Sequence, residues 1–304
     1  MHNRADLNIC VIGLGSMGFG IASSLVRDGF SVTGFDLNKE ALARFAVLGG
    51  KTAQSPADAA ANADVVICVV VNATQTETVM FGETGAAAAM ARGGIILSCA
   101  TMSPEAARGF AERAVAIGLD YLDTPISGGA VRAAAGELTI MASGGPEAFK
   151  RVKPVLDCIA SKVYELGNEA GTGAAFKIVN QLLAGVHIAA ACEAITFAKA
   201  MNLDIAKVYE VITASAGNSW MFENRVPHIL DGDYAPRSAV DIFTKDLGIV
   251  SEISRGLKFP TPIASMALQM FVMTAAAGMG RDDDASVARM IAGLAGLDLP
   301  GMEG

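Results

Sequence analysis

A glycine-rich loop between a short apolar strand and a helix constrains the fold of this chain more than any other feature. The segment "NICVIGLGSMGFG" spans residues 8–20 and carries glycines at positions 13, 15 and 18. We interpret Gly13 as the residue that permits a tight turn, Gly15 as the point where backbone approaches a pyrophosphate, and Gly18 as the close contact between helix and strand. The pyrophosphate then lies on free N–H groups at the helix N-terminus. This pattern predicts a dinucleotide-binding βαβ unit.

An acidic residue follows where a ribose diol is expected. The segment "SVTGFD" ends in Asp36, 18 residues after Gly18. A carboxylate there accepts hydrogen bonds from the ribose 2′-hydroxyl and repels a 2′-phosphate. No arginine follows directly in "LNK", so we predict NAD rather than NADP as the cofactor. The cofactor contacts expected in this part of the chain are Gly13, Leu14, Gly15, Ser16, Met17, Gly18, Asp36, Val71 and Asn72.

The pattern of the whole chain indicates an α/β part followed by a helical part. Up to about residue 165, apolar runs such as "DVVICVVV" and "GIILSCA" alternate with helical stretches, as in a doubly wound parallel sheet. After Gly167, helical periodicity replaces the β-rich runs. We predict an N-terminal Rossmann domain over residues 1–168. An all-helical substrate and dimerisation domain is predicted over residues 169–304, beginning with a long interdomain helix. The candidate helices are 171–200, 204–215, 219–230, 238–257, 261–277 and 283–296.

The composition excludes several classes of protein. The 304 residues are 52% hydrophobic and carry a net charge of −8, and no run of Lys and Arg predicts a nucleic-acid or membrane partner. Five scattered cysteines and only three histidines predict reduced core thiols, no metal site and a cytoplasmic location. The polar start "MHNRADLN" predicts no signal peptide. The apolar run 182–198 is expected to be a core helix, with His187 in the core or an interface and Glu193 as a partly buried acid.

A second glycine loop lies in "DTPISGGAVRAAAGE", residues 123–137. Ser127, Gly128 and Gly129 precede a helical stretch, where a hydroxyl and unhindered backbone N–H groups make a compact anion site. The loop alone leaves two interpretations open, an ordinary turn between strand and helix or a clamp for the carboxylate of a small acid. Alongside a nicotinamide-binding fold, we favour the clamp.

The segment "GTGAAFKIVNQ" places three polar residues at the head of an otherwise apolar helix. Lys177, Asn180 and Gln181 are spaced i, i+3 and i+4, so they share one helical face. Such a lysine either snorkels to water or handles a ligand, because burial without a partner is costly. A dehydrogenase needs one group to move the hydroxyl proton while the cofactor takes the hydride. We predict that Lys177 is this general acid/base and that Asn180 orients the substrate, in a cleft at the domain junction.

Taken together, these motifs resemble the β-hydroxyacid dehydrogenase family, which includes 3-hydroxyisobutyrate and tartronate-semialdehyde dehydrogenases. The resemblance covers nearly the whole chain, with "GLGSMG", the second glycine loop, the lysine segment and "KDLGIV" in order. The chain departs from the family pattern at Ile126, where valine is usual, and at Gln181, where a second asparagine is common. The resemblance implies NAD-dependent oxidation of a hydroxy acid, with Lys177 as the acid/base. It also implies cofactor contacts from Thr101 and Lys245 and substrate contacts from Ser127, Gly128, Gly129, Asn180 and Asp246.

Three further segments, "NQLLAGVHIAAACEA", "AGNSWMFENR" and "DGDYAPRSAVDIFTKDLG", are similar to those of family members that oxidise the C2 hydroxyl of a four-carbon sugar acid with NAD. We expect Trp220 at the distal end of the substrate, with Phe222, Asn224 and Arg225 as further candidates. The alternative is that Trp220 and Phe222 belong to the helical core. Family members pair through their helical domains, so a homodimer or homotetramer is expected.

Alternative functions remain open at this point. Within the same class, the alternative is a dehydrogenase that acts on another small hydroxy acid, such as 3-hydroxyisobutyrate, glycerate or tartronate semialdehyde. Imine reductases share the architecture but usually lack the lysine. A non-catalytic NAD-binding sensor is the alternative from a different class, and such a protein would not need Lys177.

Overall fold

The computed structural model describes residues 7–302, and the chain forms two compact units, residues 1–177 and 178–304. The first unit contains a sheet covered by helices, and the second is helical. The predicted fold class is therefore confirmed. His2 and most of the polar segment for which we predict no signal peptide lie outside the described residues.

A nine-stranded sheet forms the centre of the first unit. Its order is β3-β2-β1-β4-β5-β6-β8-β7, with β9 also pairing with β8. The strands are β1 (Asn8–Ile12), β2 (Ser31–Phe35), β3 (Lys51–Thr52), β4 (Val65–Cys68), β5 (Ile95–Ser98), β6 (Asp120–Asp123), β7 (Ile126–Ser127), β8 (Leu138–Gly144) and β9 (Ala160–Glu165). The predicted apolar runs "DVVICVVV" and "GIILSCA" contain β4 and β5, and the segments "NICVIG" and "SVTGFD" contain β1 and β2.

The first six strands are parallel, as the apolar runs predict, but β8 is antiparallel to both β6 and β7. The chain continues from β6 to β7 and then returns through a short helix, so that β8 pairs with both strands in one continuous antiparallel register. A parallel sheet is buried on both faces, and β1 demonstrates this directly. Ile9 and Val11 pack into one hydrophobic core, whereas Cys10 and Ile12 pack into a separate core on the other face.

Helices cover both faces of this sheet. The face that contains Ile9 also receives α1, α2, α6 and α7, and the opposite face receives α3 and α5. A π-helical turn, Glu77–Phe81, extends α4, and a 3₁₀ turn lies at Ala87–Ala89. The helices are α1 (Gly18–Arg27), α2 (Lys39–Val47), α3 (Pro56–Ala60), α4 (Ala73–Thr76), α5 (Pro104–Ala116), α6 (Gly129–Ala135) and α7 (Pro146–Ile159).

The carboxyl ends of the parallel strands lie side by side. Ile12 pairs with Cys68, Cys68 with Ser98, and Ser98 with Asp123. The segments that follow β1, β2, β4, β5 and β6 therefore emerge at one edge of the sheet. Ligands of open α/β sheets bind at this edge, where the strand order reverses. Here the reversal lies between β1 and β4.

Six further helices follow in the described chain, together with a π-helical turn at Ala275–Met279 and a 3₁₀ turn at Asp284–Ser286, and all six predicted helices are present within four residues at each end. Buried side chains of α8, among them Ile188, Cys192 and Ile195, contribute to the core of the second unit. Gly185 permits close packing, because a Cβ there would lie 2.9 Å from Leu247 Cδ1. The helices are α8 (Thr172–Ala200), α9 (Ile205–Thr213), α10 (Trp220–Asp231), α11 (Val240–Gly256), α12 (Pro262–Thr274) and α13 (Val287–Ala295).

Two helical segments, α8 and Pro262–Met279, are long and apolar enough to cross a bilayer by length and composition alone. Half of the apolar window in α8 is buried within the structure, against 22% of the window in Pro262–Met279. All five cysteines are free thiols, as predicted. The prediction for Glu193 is wrong, because this residue lies on an exposed face of α8.

Candidate active site

The first glycine loop connects β1 to α1, and Gly13 and Gly18 have the structural roles that the sequence predicts for them. Gly13 has a φ of +93°, and a Cβ there would lie 2.3 Å from the Val69 carbonyl oxygen. A Cβ at Gly18 would lie 1.8 Å from the carbonyl oxygen of Gly13. Gly15 differs from both, since it is exposed and a Cβ added to it would meet no atom of the described chain within 4 Å. The first and third glycines are therefore required by the fold, whereas Gly15 leaves its space open to a ligand.

The N-terminus of α1 fits an anionic group. Among the described residues, no side chain caps this helix, and its first turn contains no acidic residue. The helix dipole and the unpaired N–H groups of a first turn favour a pyrophosphate at such a position. The residues present therefore fit NAD.

Asp36 lies at the end of β2, beside this loop. Its carboxylate accepts hydrogen bonds from the backbone N–H groups of Leu14 at 2.6 Å and Asn38 at 2.7 Å. A carboxylate oxygen has more than one acceptor position, so these two bonds leave capacity for ribose hydroxyls. The structure thus adds a second task for Asp36, which is to connect the glycine loop to the end of the neighbouring strand.

The other cofactor residues predicted in the first unit follow β4 and β5 at the same sheet edge. Val71 is exposed, and its backbone N–H donates to Gln75 Oε1 at 2.9 Å. Asn72 caps α4, with its side-chain oxygen accepting from the N–H of Gln75 at 2.8 Å. Thr101 lies between β5 and α5 and is half-buried. Their contacts with NAD stay predictions.

The second glycine loop lies where β7 meets α6. Ser127 pairs with Thr139 of β8, and Gly128 and Gly129 have φ values of +138° and +75°. Both glycines therefore adopt backbone conformations that other residues rarely adopt. Gly129 is exposed, and a Cβ added to it would contact nothing in residues 7–302 within 4 Å. An open backbone of this kind suits a carboxylate clamp, and the clamp itself stays a prediction.

Lys177 lies in the second turn of α8 and is only 7% exposed. The start of this helix is held against the sheet by two buried side chains. Asp123 Oδ2 accepts hydrogen bonds from the N–H groups of Gly171 at 2.9 Å and Ala174 at 2.7 Å. Ser143 Oγ accepts from the N–H of Gly173 at 2.9 Å. Lys177 therefore follows a helix start at which Asp123 and Ser143 together accept hydrogen bonds from three backbone N–H groups.

A chain of polar contacts follows on the next turn of α8. Asn180 Nδ2 donates to Gln181 Oε1 at 3.0 Å, and Gln181 Nε2 donates to Asp246 Oδ2. Lys245 forms an ion pair with Asp246 at 2.6 Å, and Asp246 is 1% exposed. Because a carboxylate only accepts, the Gln181 amide must turn its NH₂ to Asp246 and its oxygen to Asn180. The Asn180 side-chain oxygen is then the atom directed away from this chain of contacts.

The residues predicted for the distal pocket differ in exposure and in the contacts that they make within the helical unit. Trp220 begins α10 and is 46% exposed. Phe222 is buried and stacks on Tyr209, and the Arg225 guanidinium pairs with the buried carboxylate of Asp284. The packing of the helical unit therefore explains Phe222 and Arg225 without a ligand. His187 is half-buried and contributes to the wall of a mainly apolar cavity of about 830 Å³ in this unit.

Asp123, Ser143 and Gln181 have no predicted role, although their side chains form the hydrogen bonds that tie α8 to its neighbours. Asp123 does have a signal, since it is an acid at the end of the apolar strand run "LDYLD". Gln181 shares a helical face with Lys177, so its spacing could have identified it. Nothing in the sequence predicts its hydrogen bond to Asp246, which lies 65 residues later.

Comparisons with known proteins identify the family. Residues 8–167 match the family described as the NAD binding domain of 6-phosphogluconate dehydrogenase. Residues 171–291 match the family described as NAD-binding of NADP-dependent 3-hydroxyisobutyrate dehydrogenase. Together these two matches cover most of the chain.

Relatives of known name are similar over almost their full length. An L-threonate dehydrogenase from Cupriavidus necator is 54% identical over 97% of this chain and 98% of the relative. One from Pectobacterium atrosepticum is 46% identical, over 97% of each chain. A crystal structure of 3-hydroxyisobutyrate dehydrogenase from Salmonella typhimurium is 47% identical, with a TM-score of 0.90 over 94% of this chain and 100% of that one. The chain therefore belongs to the 3-hydroxyisobutyrate dehydrogenase-like, or β-hydroxyacid dehydrogenase, family and is an NAD-dependent hydroxyacid dehydrogenase.

Proposed function

We propose that this enzyme oxidises the C2 hydroxyl of L-threonate to 2-dehydro-L-erythronate. The observation that carries the reaction chemistry is that buried Lys177 shares one face of α8 with Asn180 and Gln181. The substrate assignment is supported by the identity of 45–54% to five L-threonate dehydrogenases over nearly the whole chain.

The proposed mechanism uses these residues as follows. The Lys177 amine takes the proton of the C2 hydroxyl as the C–H bond at C2 breaks, and in the reverse direction the ammonium protonates the carbonyl oxygen. NAD, when bound, supplies the acceptor for the hydride. The Asn180 side-chain oxygen, left directed outward by the bond to Gln181, accepts from a substrate hydroxyl. Ser127, Gly128 and Gly129 hold the substrate carboxylate.

The cofactor preference forms part of this proposal. Asp36 places a negative charge beside the glycine loop, where a 2′-phosphate would be repelled. We therefore propose NAD over NADP. Lys245 and Thr101 are proposed to contact the cofactor, and Trp220 and Asp246 the substrate side.

A second candidate substrate is 3-hydroxyisobutyrate. It is supported by the solved structure of that name, which is 47% identical to this chain. The two acids share a carboxylate and a hydroxyl but differ in the number of hydroxyl groups. An acceptor such as the Asn180 side-chain oxygen favours the polyhydroxy acid. With an acid that has fewer hydroxyl groups the acceptor can be left unpaired in a closed site, which is costly.

The test is NADH formation by purified enzyme with L-threonate, D-erythronate, D-threonate, 3-hydroxyisobutyrate and D-glycerate, each with NAD and NADP. We expect the highest kcat/KM with L-threonate and NAD. A higher value for another acid would replace the substrate assignment and leave the dehydrogenase chemistry in place. The variant Lys177→Met should lose about 10²–10⁴-fold in kcat while still binding NAD, because this is the typical contribution of a positioned proton-transfer group. Turnover by this variant at the native rate would refute the role of Lys177.

We further propose that residues 169–304 form the domain through which the enzyme pairs as a homodimer or homotetramer in the cytoplasm. Phe176, Val179 and Leu183 lie at i, i+3 and i+7 on α8, and all three are at least half-exposed. Ile263 and Met266 of α12 are 70% and 67% exposed. Exposed apolar faces of this kind mark protein contacts. Sedimentation at several protein concentrations tests this proposal, and a monomer at every concentration would refute it.

A further inference from the structure

Asp123 carries a buried carboxylate to which the proposed mechanism gives no task. It is 1% exposed, and one of its oxygens accepts from the N–H groups of both Gly171 and Ala174. The hydroxyl of Ser143 donates to the same oxygen at 3.4 Å and accepts from the N–H of Gly173. We refer to Asp123 and Ser143 as the helix clamp, because together they bind three backbone donors at the start of α8.

The contact between the helix clamp and the start of α8 leaves no room for a side chain at Gly171 or Gly173. A Cβ on Gly173 would lie 2.3 Å from the Met141 carbonyl oxygen and 3.2 Å from Asp123 Oδ2. Gly171 has a φ of +95°, and a Cβ there would lie 2.7 Å from the Pro104 carbonyl oxygen. Both glycines of "GTG" are therefore required for the backbone to reach the clamp. The hydrogen bonds of the helix clamp and these close approaches together fix the position of the first turn of α8.

We propose that Asp123 is a positioning residue for hydroxyl oxidation, which fixes the turn that precedes Lys177 and supplies a negative charge at the N-terminus of its helix. This inference rests on the proposed role of Lys177. Ala174, which the clamp binds, precedes the lysine by three residues, about 4.5 Å along a helix axis. A negative charge at a helix N-terminus offsets the positive end of the dipole. It therefore favours the ammonium form of a lysine in the first turns of that helix.

Few other groups around the clamp change their charge near neutral pH. Burial raises the pKa of the Cys99 thiol, at the end of β5, to about 12 and raises that of Tyr121 on β6 still further. The guanidinium group of Arg108 on α5 lies beside Gly171. Ser143 of β8 does not titrate. Burial raises the pKa of Asp123 itself to about 6, so the carboxylate is the group of the clamp that gains its charge between pH 5 and 7.

Two variants separate the charge of the clamp from its hydrogen bonds. Asp123→Asn keeps an acceptor oxygen but loses the charge, whereas Ser143→Ala keeps the charge but loses one acceptor and one donor. We expect both to lower kcat by about three- to tenfold, with KM for NAD within twofold of the native value, because the glycine loop after β1 is untouched. Only Asp123→Asn should move the acidic limb of the kcat/KM profile for oxidation, by about 0.5 pH unit to lower pH.

Two measurements distinguish a positioning role of Asp123 from a purely structural one. They are the acidic limb of the kcat/KM profile and the kcat per folded, NAD-binding site. A structural role alone would lower the melting temperature and the amount of active enzyme, with kcat per NAD-binding site and the pH limb unchanged, and that result would overturn the proposal. Ser143→Ala provides the test if Asp123→Asn does not fold, since native kcat in folded Ser143→Ala would also overturn it. Lys177→Met is measured in parallel. If it is inactive while both clamp variants behave as native, only this inference fails, whereas native turnover by Lys177→Met refutes the proposed function together with it.

Discussion

The carboxylate of Asp36 accepts a hydrogen bond from the backbone N–H of Leu14 at 2.6 Å, and this contact joins the glycine loop to the end of β2. The residue predicted to select the cofactor therefore also holds the loop that is predicted to bind its pyrophosphate. A change at this position is expected to alter affinity as well as cofactor preference.

Replacing Asp36 with Asn should weaken NAD binding and relax discrimination against NADP. The amide keeps an acceptor for Leu14 but loses the charge, and a charged hydrogen bond is worth about 1.5–3 kcal/mol. We expect KM for NAD to rise about tenfold and the ratio of NAD to NADP efficiency to fall by at least as much. Glu40→Gln is the matched control, because it removes an exposed negative charge close by on α2. Unchanged cofactor preference in Asp36→Asn would contradict the assignment.

Gly13 and Gly15 of the first loop should respond differently to replacement by alanine. In Gly15→Ala the new methyl group meets no atom of the described part of the chain, so the free energy of unfolding should change by less than about 0.5 kcal/mol. The NAD dissociation constant should rise at least about tenfold, because the methyl group occupies space predicted for the pyrophosphate. Gly13→Ala should destabilise the fold by about 2–3 kcal/mol, since its backbone is left-handed and the Val69 carbonyl is in the way. Urea unfolding and NADH fluorescence measure the two quantities, and native NAD affinity in Gly15→Ala would argue against a pyrophosphate there.

The stability of the first unit should depend on the ionisation of Asp123. Burial raises its pKa from an ordinary value of 3.8 to about 6. At pH 5 the folded chain holds this proton and the unfolded chain has released it, so the contribution favours folding at low pH and is lost as pH rises through 6. We expect the loss between pH 5 and 7 to be about 1 kcal/mol in the native protein and absent in Asp123→Asn. Parallel pH slopes of the unfolding free energy in the two proteins would show that the carboxyl is not the cause.

The pair Arg225–Asp284 should matter far more for stability than the ion pairs on the surface. Asp284 is 0% exposed, so Arg225→Met leaves a buried carboxylate without its cation. We expect a loss of about 3–5 kcal/mol in the free energy of unfolding. The double variant Arg225→Met with Asp284→Asn should recover part of this loss.

The matched control for this pair is Arg113→Met, which breaks the half-exposed pair with Glu77. It should cost less than about 1 kcal/mol in unfolding free energy. Equal losses in Arg113→Met and Arg225→Met would contradict the distinction between buried and exposed pairs.

The sequence predicts those features that depend on local geometry. The turn at Gly13, the alternation of strands and helices and the six later helices follow from chirality, periodicity and spacing, and each is present. The reversed direction of β8 does not follow from its apolar pattern, because antiparallel and parallel strands of a covered sheet look alike in composition. The bond from Gln181 to Asp246 depends on how α8 packs on α11. The clamp on α8 likewise depends on the register of β6 against β8 and is invisible to spacing.

The hydrogen bonds to Ala174 and Gln181 have a consequence for how this segment varies. Seven residues separate the backbone N–H that Asp123 binds from the side-chain amide that Asp246 binds. An inserted or deleted residue between them would rotate everything beyond it by about 100° and shift it by about 1.5 Å. If the change fell between Lys177 and Gln181, these two side chains would no longer share a helical face. We therefore expect this stretch of α8 to tolerate the exchange of side chains better than the insertion or deletion of a residue.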